Sequence, residues 1–545
     1  EAGRIRLDQP INLYLPEKVQ VKDQGYDQPV RVINLLDHSA GFEDRALGQL
    51  FEDSFDRVRP LDVYLRQERP RRVHSPGMLS SYSNYGAALA GKAASYVSGK
   101  PFERMIEDEI LAPLGLRHTT FREPHPDKAG LPGPMPASLT PDVSDAYRWT
   151  PGGYQRRDFE YVGQIAPAGA ASSTAGDMAR YMIMLLNGGQ LNGVTIYGPR
   201  TAAAFRTPLR RTPPGINGWA HGFMIYDLPG GHRGYGHGGD TLSFHSNLVT
   251  VPDLNLGIFI STNTETGAPL AGRFADRLVR QFYGSPQVFP RPGSEELRRD
   301  HGAFTGYYVS SRRAYSGLEG FVTSLIGGVS VGMTPQGRLA TTTRDGTRTW
   351  VPDGPLAQGR FIATDGDQRL AFVLQDGKAR AFLPTMGAAL MERAAFWRRP
   401  GVLATLAALT AAASLATLGG IFLRTRREFR ENSIQSRAAL IQNIQGVLWL
   451  ASLALFGLWA SKTGDQAQVM YRWPGALLVT ASACALVAAA LTVTTVVALP
   501  AVWRGGRRVD SWTHLHKAFF SVTVGIYALF SLVLALWGAL SPWSG

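Results

Sequence analysis

The sequence predicts an α/β domain with an antiparallel sheet and helices, then a small all-β domain, then a four-helix transmembrane bundle. Residues 1 to about 395 mix polar and apolar residues with turns rich in glycine and proline, as in a soluble protein. From Trp397 onward, long apolar stretches alternate with clusters of arginine. Helical and strand-like periodicities alternate up to about residue 285, and short alternating strands follow. These changes place the domains at residues 1–285, 295–395 and 398–545.

The first domain contains clear signals for helices and for a hairpin. Ala87–Val97 predicts a helix, which the following Ser-Gly pair ends. A second helix is expected directly after Thr174. Ser243–Val251 and Leu256–Thr262 flank a Pro-Asp turn signal and therefore predict a β-hairpin.

Short strands with glycine turns follow a Pro-Arg-Pro-Gly linker at 290–293. Arg369–Leu374 and Ala379–Leu383, for example, flank the turn signal Gln-Asp-Gly. This spacing is typical of a small barrel or sandwich. We find no catalytic constellation in this region.

Four apolar segments after Trp397 are long enough to span a bilayer, which needs about 20 residues. They are Val402–Leu423, Leu440–Ala460, Ala476–Val496 and Phe519–Leu540. Arginine-rich connectors follow the first and the third segments. Because positively charged loops stay in the cytoplasm, the soluble domains and the C-terminus should face outward. We therefore expect a multi-pass protein of the inner cell membrane with extracytoplasmic soluble domains.

Charge and composition also argue against several functions. The net charge is +13, but eleven arginines and two lysines lie beside the apolar segments from Trp397 onward, against four acidic residues. The positive-inside rule explains this excess better than nucleic-acid binding does. The apolar segments contain almost no ionisable residues, which ion or proton pumps normally carry. We expect an anchor or a partner-binding bundle, and its protein partner is unknown.

No metal or organic cofactor is predicted. The single cysteine, Cys484, lies in an apolar segment, so neither a disulfide within the chain nor a cysteine-based metal site is possible. His232, His237 and His245 lie close in sequence, but no carboxylate-rich ligand set accompanies them.

The first of three motifs that could carry chemistry is Ser-Ser-Tyr-Ser-Asn-Tyr-Gly at 80–86, directly before a predicted helix. It would place the phenol of Tyr82 and the carboxamide of Asn84 on one side of a loop. A phenol has a pKa of about 10, so it becomes a useful base only where nearby cations lower that value. The alternative is that these residues form only a turn and a helix N-cap.

The second motif is Gly-His-Gly-Gly-Asp at 236–240, just ahead of the strand expected to begin near Ser243. Glycines beside His237 would let a substrate backbone approach closely. Gly238 and Gly239 would bind that substrate and leave a backbone N–H free to stabilise an oxyanion. The alternative is a glycine-rich loop with an incidental histidine.

The third motif, Leu-Leu-Asp-His-Ser-Ala-Gly at 35–41, ends an apolar run that begins near Val30. Ser39 beside His38 suggests a nucleophile and a base, but adjacent side chains rarely converge on one reacting atom. Asp37 also replaces the first glycine of a G-x-S-x-G elbow. We interpret this segment as a helix that ends near Gly41.

Taken in order, these segments resemble the serine β-lactamase-like family, which includes class C β-lactamases, penicillin-binding-protein-like peptidases and related esterases. The resemblance rests on Leu7-Asp8-Gln9-Pro10, Tyr14-Leu15-Pro16, Leu35–Gly41, Pro76-Gly77, Tyr82-Ser83-Asn84, Pro113-Leu114-Gly115-Leu116, Pro167-Ala168-Gly169 and Gly236-His237-Gly238-Gly239. It covers about residues 1–285 and implies a β-lactamase-like fold. The all-β domain resembles the small barrel-like domains that are appended to some of these hydrolases.

The resemblance also implies roles for the motif residues. Tyr82 matches the tyrosine that takes part in proton transfer, and Asn84 matches the amide that orients the substrate. His237 stands where many members carry lysine, and would give the tyrosine positive or hydrogen-bonding character. Asp240 matches the position whose backbone N–H completes the oxyanion hole, so its side chain is not required.

The family's nucleophile motif, Ser-x-x-Lys, does not occur in these 545 residues, because none of the eight lysines follows a serine by three residues. We expect this motif upstream of Glu1, and we expect the chain as it stands to be inactive. A true pseudoenzyme is the other account of this departure.

The main prediction is a membrane-anchored, extracytoplasmic serine hydrolase. It would form an acyl-enzyme on an ester, a D-amino-acid peptide or a β-lactam carbonyl, with a small-molecule or peptidoglycan-like substrate. The non-enzymatic alternative is a membrane sensor or scaffold that binds peptidoglycan-like ligands without turnover. A transporter is less favoured, because the apolar segments lack ionisable residues.

Overall fold

The computed structural model describes residues 2–22, 25–423, 432–505 and 510–544. Some of the arginines expected to orient the membrane segments lie outside the described residues, namely Arg424, Arg426, Arg427, Arg430, Arg507 and Arg508. The chain forms two compact units. The first contains Glu1–Arg312 with Val329–Arg393, and the second contains Arg313–Gly328 with Ala394–Gly545.

The first unit begins with helices arranged around an antiparallel sheet. The helices are α1 (Val32–Leu36), α2 (Leu61–Gln67), α3 (Asn84–Ser98), α4 (Phe102–Ile106), α5 (Ala112–Leu114), α6 (Ala166–Gly169), α7 (Ala175–Leu186), α8 (Pro199–Phe205), α9 (Ala268–Ala271) and α10 (Phe274–Tyr283). Two small hairpins consist of β1 (Ala146–Thr150) with β2 (Gly153–Arg157), and β3 (Gln190–Leu191) with β4 (Val194–Thr195). A five-stranded antiparallel sheet follows, with its strands in chain order: β5 (Gly218–Trp219), β6 (Met224–Asp227), β7 (Arg233–Asp240), β8 (His245–Val251) and β9 (Leu256–Thr262).

This sheet is buried on both faces, which holds its inner strands in place. Tyr235 and Leu248 pack in one apolar cluster with Leu185 of α7. Val249 packs in another cluster with Val279 of α10. Because successive strand residues point to opposite faces, Leu248 and Val249 bury the two faces of β8 against different helices. The predicted α/β fold with an antiparallel sheet is confirmed.

The predicted helix near Ala87 is present, but it begins three residues earlier, at Asn84. Its start is set by Ser83, whose hydroxyl accepts a hydrogen bond from the Gly86 N–H at 3.1 Å. It ends at Gly99, which has a φ of +74° in the left-handed region. The N-cap therefore lies inside the Tyr-Ser-Asn motif, directly after the tyrosine.

The helix expected after Thr174 and the β8–β9 hairpin are also confirmed. The expectation that a helix runs to Gly41 is wrong, because α1 ends at Leu36. The Asp37 carboxylate accepts hydrogen bonds from the Ser39 N–H at 3.0 Å and the Ser39 hydroxyl at 2.5 Å, which closes a tight turn instead. His38 adopts a φ of +55° within that turn.

The first unit ends in a closed, eight-stranded antiparallel barrel, so the all-β prediction is confirmed and its form is a barrel. Helix α11 (Glu295–Asp300) precedes it. The strands are β10 (Gly306–Ser310), β11 (Gly328–Met333), β12 (Leu339–Thr343), β13 (Gly346–Pro352), β14 (Arg360–Ala363), β15 (Arg369–Gln375), β16 (Lys378–Pro384) and β17 (Met391–Arg393). The barrel contacts the first domain through the Asn217 N–H, which donates to the Thr385 carbonyl at 2.8 Å, and through the ion pair between Arg280 and Asp367.

The second unit contains the remaining α-helices of the described residues. They are α12 (Gly317–Ile326), α13 (Pro400–Gly419), α14 (Ser433–Ser461), α15 (Gln466–Tyr471), α16 (Gly475–Arg504) and α17 (His514–Trp537). Four of the described helices are long and apolar enough to cross a membrane, as predicted. Lys517, two residues before the predicted fourth apolar segment, lies in the first turn of α17, where it pairs with Asp510 at 2.5 Å.

Candidate active site

Tyr82 lies in the loop that leads into α3, and Asn84 is the first residue of that helix. Both side chains are half-buried. The Tyr82 N–H donates to the carbonyl of Ala388 at 2.9 Å. Ala388 belongs to the barrel, in the loop between β16 and β17. The barrel therefore helps to fix the backbone of this candidate site residue.

The Gly-His-Gly-Gly-Asp motif precedes β8, as expected, and itself forms the last five residues of β7. The pairing of β6 with β7 ends at Met224 and Gly236. From His237 to Asp240, β7 continues to pair with β8. In the described part of the chain, the other edge of this stretch therefore has no strand beside it. A Cβ atom at Gly239 would have no heavy atom within 4 Å.

The fold brings His237 to Tyr82, with 6.0 Å between their ring centroids. Two further rings, which sequence reasoning did not assign to the site, lie at the same place. The His38 ring is 4.2 Å from the Tyr82 ring, and the Trp219 ring is 5.6 Å from it. His38 and Trp219 are buried, with 5% and 2% of their surfaces exposed. Both rings pack against the ring of Tyr82.

Burial keeps both histidines neutral. It lowers the pKa of His38 to about 3, with smaller contributions from His237 and Arg312. It also lowers the pKa of His237, although the hydrogen bond between its Nδ1 and the Gly238 carbonyl opposes the shift. A neutral His237 whose Nδ1–H donates to that carbonyl presents its Nε2 as an acceptor. The sequence predicted that His237 gives Tyr82 either positive or hydrogen-bonding character. Because the histidine is neutral, hydrogen bonding is favoured.

The pKa of Tyr82 is raised, chiefly by burial. The Arg312 guanidinium opposes this shift, whereas the carboxylates of Asp44 and Asp240 add to it. Arg312 belongs to the barrel, and its Cζ lies 4.6 Å from the centroid of the Tyr82 ring. Sequence reasoning missed Arg312, because nothing in the barrel sequence indicates proximity to a residue 230 positions earlier.

The side chain of Ser39 is not available to a substrate. Ser39 is fully buried, and its hydroxyl donates to Asp37 and accepts from the Asn34 amide at 3.0 Å. Asp37 is also held by Arg210, whose Nε lies 2.9 Å from the carboxylate. Ser39 therefore stabilises the turn that places His38 against Tyr82.

His232 and His245, which lie near β7, each pair with a single carboxylate. His245 lies 2.6 Å from Asp240, and His232 lies 2.5 Å from Asp253. Among the residues that the structure describes, no group of three or more histidine, cysteine, aspartate or glutamate side chains could hold a metal ion.

The sequence model of the β-lactamase family matches residues 1–281, slightly more than half of the chain. A Salmonella schwarzengrund protein that carries the name of a D-alanyl-D-alanine carboxypeptidase is 24% identical over an alignment of 303 residues, which covers 49% of this chain and 65% of that protein. A Salmonella newport protein of the same name gives the same values. The match thus spans less than two thirds of the length of these curated relatives.

Solved structures of similar fold include an octameric penicillin-binding protein homologue from Pyrococcus abyssi. It is 20% identical, with a TM-score of 0.45, over 72% of this chain and 83% of that chain. A β-lactamase/D-alanine carboxypeptidase from Yersinia pestis is 20% identical, with a TM-score of 0.37, over 51% and 77%. Because the family model covers the domain that holds Tyr82, Asn84 and His237, the chain belongs to the β-lactamase family of serine hydrolase-like proteins.

Proposed function

We propose that the complete protein is an extracytoplasmic serine hydrolase anchored in the inner cell membrane. It forms an acyl-enzyme on an ester, a D-amino-acid peptide or a β-lactam carbonyl. The observation that carries the proposal is that Tyr82 and His237 meet at the open edge of β7, within the region matched by the β-lactamase family.

The open edge of β7 suits an extended substrate. A peptide backbone can pair with a strand edge through main-chain hydrogen bonds, and Gly238 and Gly239 leave room for its approach. The Asp240 backbone N–H then serves the oxyanion, which leaves its side chain to pair with His245. Asn84, at the start of α3, orients the amide of the substrate.

Tyr82 moves the proton in this proposal. The oxygen of a serine hydroxyl forms a bond to the substrate carbonyl carbon, and its proton passes through the Tyr82 oxygen to the leaving group. Neutral His237 supports Tyr82 as a hydrogen-bond partner. Water then cleaves the acyl-serine ester by the same proton path in reverse.

In this proposal the serine comes from a Ser-x-x-Lys motif outside residues 1–545, since none of the eight lysines within them follows a serine by three residues. The named activity of the curated relatives supports a peptidoglycan-like substrate. The positive-inside rule supports an outward-facing site, where such a substrate would be reached.

The test is labelling with a fluorescent penicillin of the protein expressed from its complete coding sequence. We expect labelling, and we expect its loss when the serine of an upstream Ser-x-x-Lys becomes alanine. Tyr82→Phe keeps the ring against His38 but removes the oxygen, so it should slow acylation about 10²–10⁴-fold. Tyr96→Phe, the same change at an exposed position on α3, is the matched control and should label at the wild-type rate.

If the complete protein has no Ser-x-x-Lys and takes up no probe, the hydrolase proposal fails. The absence of that motif from the 545 residues would then favour a membrane sensor or scaffold. Such a protein should bind a D-Ala-D-Ala peptide without turning it over.

A further inference from the structure

Arg312 is held firmly although it lies just beyond the end of β10. The preceding residue, Ser311, is fully buried. Its N–H donates to the Leu390 carbonyl at 2.8 Å, and its hydroxyl accepts from the Leu390 N–H at 3.0 Å. The same hydroxyl lies 3.5 Å from the Ser81 hydroxyl, next to Tyr82. The backbone of Arg312 is thus tied to the barrel and to the loop that carries Tyr82.

The Arg312 guanidinium is held at its other end by Asp44. Its Nε donates to the Asp44 carboxylate at 2.7 Å, where the carboxylate side chain is only 10% exposed. The Arg312 side chain itself is 38% exposed, so it also borders solvent. A guanidinium within about 6 Å of an aromatic centroid is attracted to the ring face, and here the separation is 4.6 Å.

The charges around Tyr82 make this arginine distinctive. His38 and His237 are neutral, and the acidic groups that act on Tyr82 are Asp44 and Asp240. Arginine stays protonated at every physiological pH. Arg312 is therefore a permanent cation beside the phenol, in a site whose two histidines are neutral.

We propose that Arg312, from the barrel and outside the region matched by the β-lactamase family, is a positioning residue that fixes the Tyr82 ring and favours its phenolate. The role in catalysis rests on the proposed hydrolase function, but the electrostatic contact with Tyr82 does not. The barrel is then a part of the active site, and a protein that lacks it loses the cation as well as the Ala388 carbonyl that holds the Tyr82 backbone.

The experiment incorporates 3-fluorotyrosine into the complete protein in detergent micelles and follows the pH titration by ¹⁹F NMR. The Tyr82 signal is the one that disappears in Tyr82→Phe. In Arg312→Gln, the titration midpoint of this signal should rise by about one pH unit or more, since a nearby opposite charge shifts a pKa by about 1–3. Arg312→Lys keeps the charge and should restore most of the wild-type midpoint. Arg380→Gln, at an exposed position on β16, is the matched control and should leave the midpoint unchanged.

An unchanged midpoint in Arg312→Gln would overturn the inference, and so would an equal shift in the Arg380 control. The rate of penicillin labelling against pH, measured on the same variants, tests the catalytic consequence. We expect the alkaline rise of that rate to move with the NMR midpoint. If no variant is labelled but the midpoint moves as expected, the hydrolase proposal fails and the electrostatic contact stands.

Discussion

Replacement of Gly236 by alanine should push β7 and β8 apart and displace the neighbouring His237 of the candidate site. Gly236 lies in β7 opposite Val249 of β8. A Cβ atom at this position would lie 1.8 Å from the Leu248 carbonyl oxygen and 2.7 Å from its carbon. Both are backbone atoms of a strand buried on its two faces, so they cannot rotate away. The strands would have to separate locally by about 1 Å, in an interior that is already close-packed.

The magnitude follows from this overlap. Forcing extra atoms into a packed core costs about 1–3 kcal/mol, and each weakened backbone hydrogen bond adds about 1 kcal/mol. We expect Gly236→Ala to lose about 3 kcal/mol, which lowers the Tm of a domain of this size by roughly 10 °C. It should also abolish penicillin labelling, because the neighbouring His237 moves with the strand.

The assay is thermal unfolding of the complete protein in detergent, with Gly239→Ala as the matched control. Gly239 lies in the same strand, but its added Cβ would meet no heavy atom within 4 Å. Its Tm should stay within about 2 °C of the wild type. If Gly236→Ala and Gly239→Ala have the same Tm, the spacing of β7 and β8 described above is wrong.

Two further predictions concern acid stability and membrane orientation. The pKa of His38 is about 3 when folded and about 6.5 when unfolded, so the unfolded state binds more protons below pH 6.5 and stability falls as the pH falls. The loss of unfolding free energy from this group should reach about 2 kcal/mol at pH 5. It should vanish in His38→Gln, as measured by denaturant unfolding at a series of pH values. If the unfolding free energy of the variant falls with pH as steeply as that of the wild type, the low pKa of His38 is contradicted. For orientation, in a Cys484→Ser background, an impermeant maleimide added to intact spheroplasts should label Trp543→Cys but not Ser433→Cys. Labelling of only Ser433→Cys would reverse the proposed orientation.

The elements that sequence reasoning located are those specified by neighbouring residues. Helix α7 begins where Thr174 caps it, and the β8–β9 hairpin follows alternating apolar residues around a short turn. The four apolar helices follow from length and hydropathy alone. The errors lie where a side chain changes the local path of the chain. The Asp37 carboxylate ends α1 early by binding Ser39, and apolar periodicity carries no information about that hydrogen bond.

The motifs around Tyr82 and His237 also identified the β-lactamase family from the sequence alone, and the family match supports that assignment. The sequence did not indicate that the Gly-His-Gly-Gly-Asp motif is itself a strand. Glycines disfavour strands locally, but pairing with β8 along the whole motif outweighs this preference. Tertiary hydrogen bonding therefore decided the structure of the segment that offers an open edge to a substrate.

By itself, the sequence determined the fold class, the order of the regions, the four apolar helices and the two motifs of the candidate site. Only the tertiary structure decided what surrounds Tyr82: the buried rings of His38 and Trp219, and the cation of Arg312. The physical reason is the range of the interactions. Helices, turns and apolar segments arise from residues a few positions apart, whereas the charge and burial that set the chemistry of a phenol come from groups brought together only when the barrel packs against the first domain.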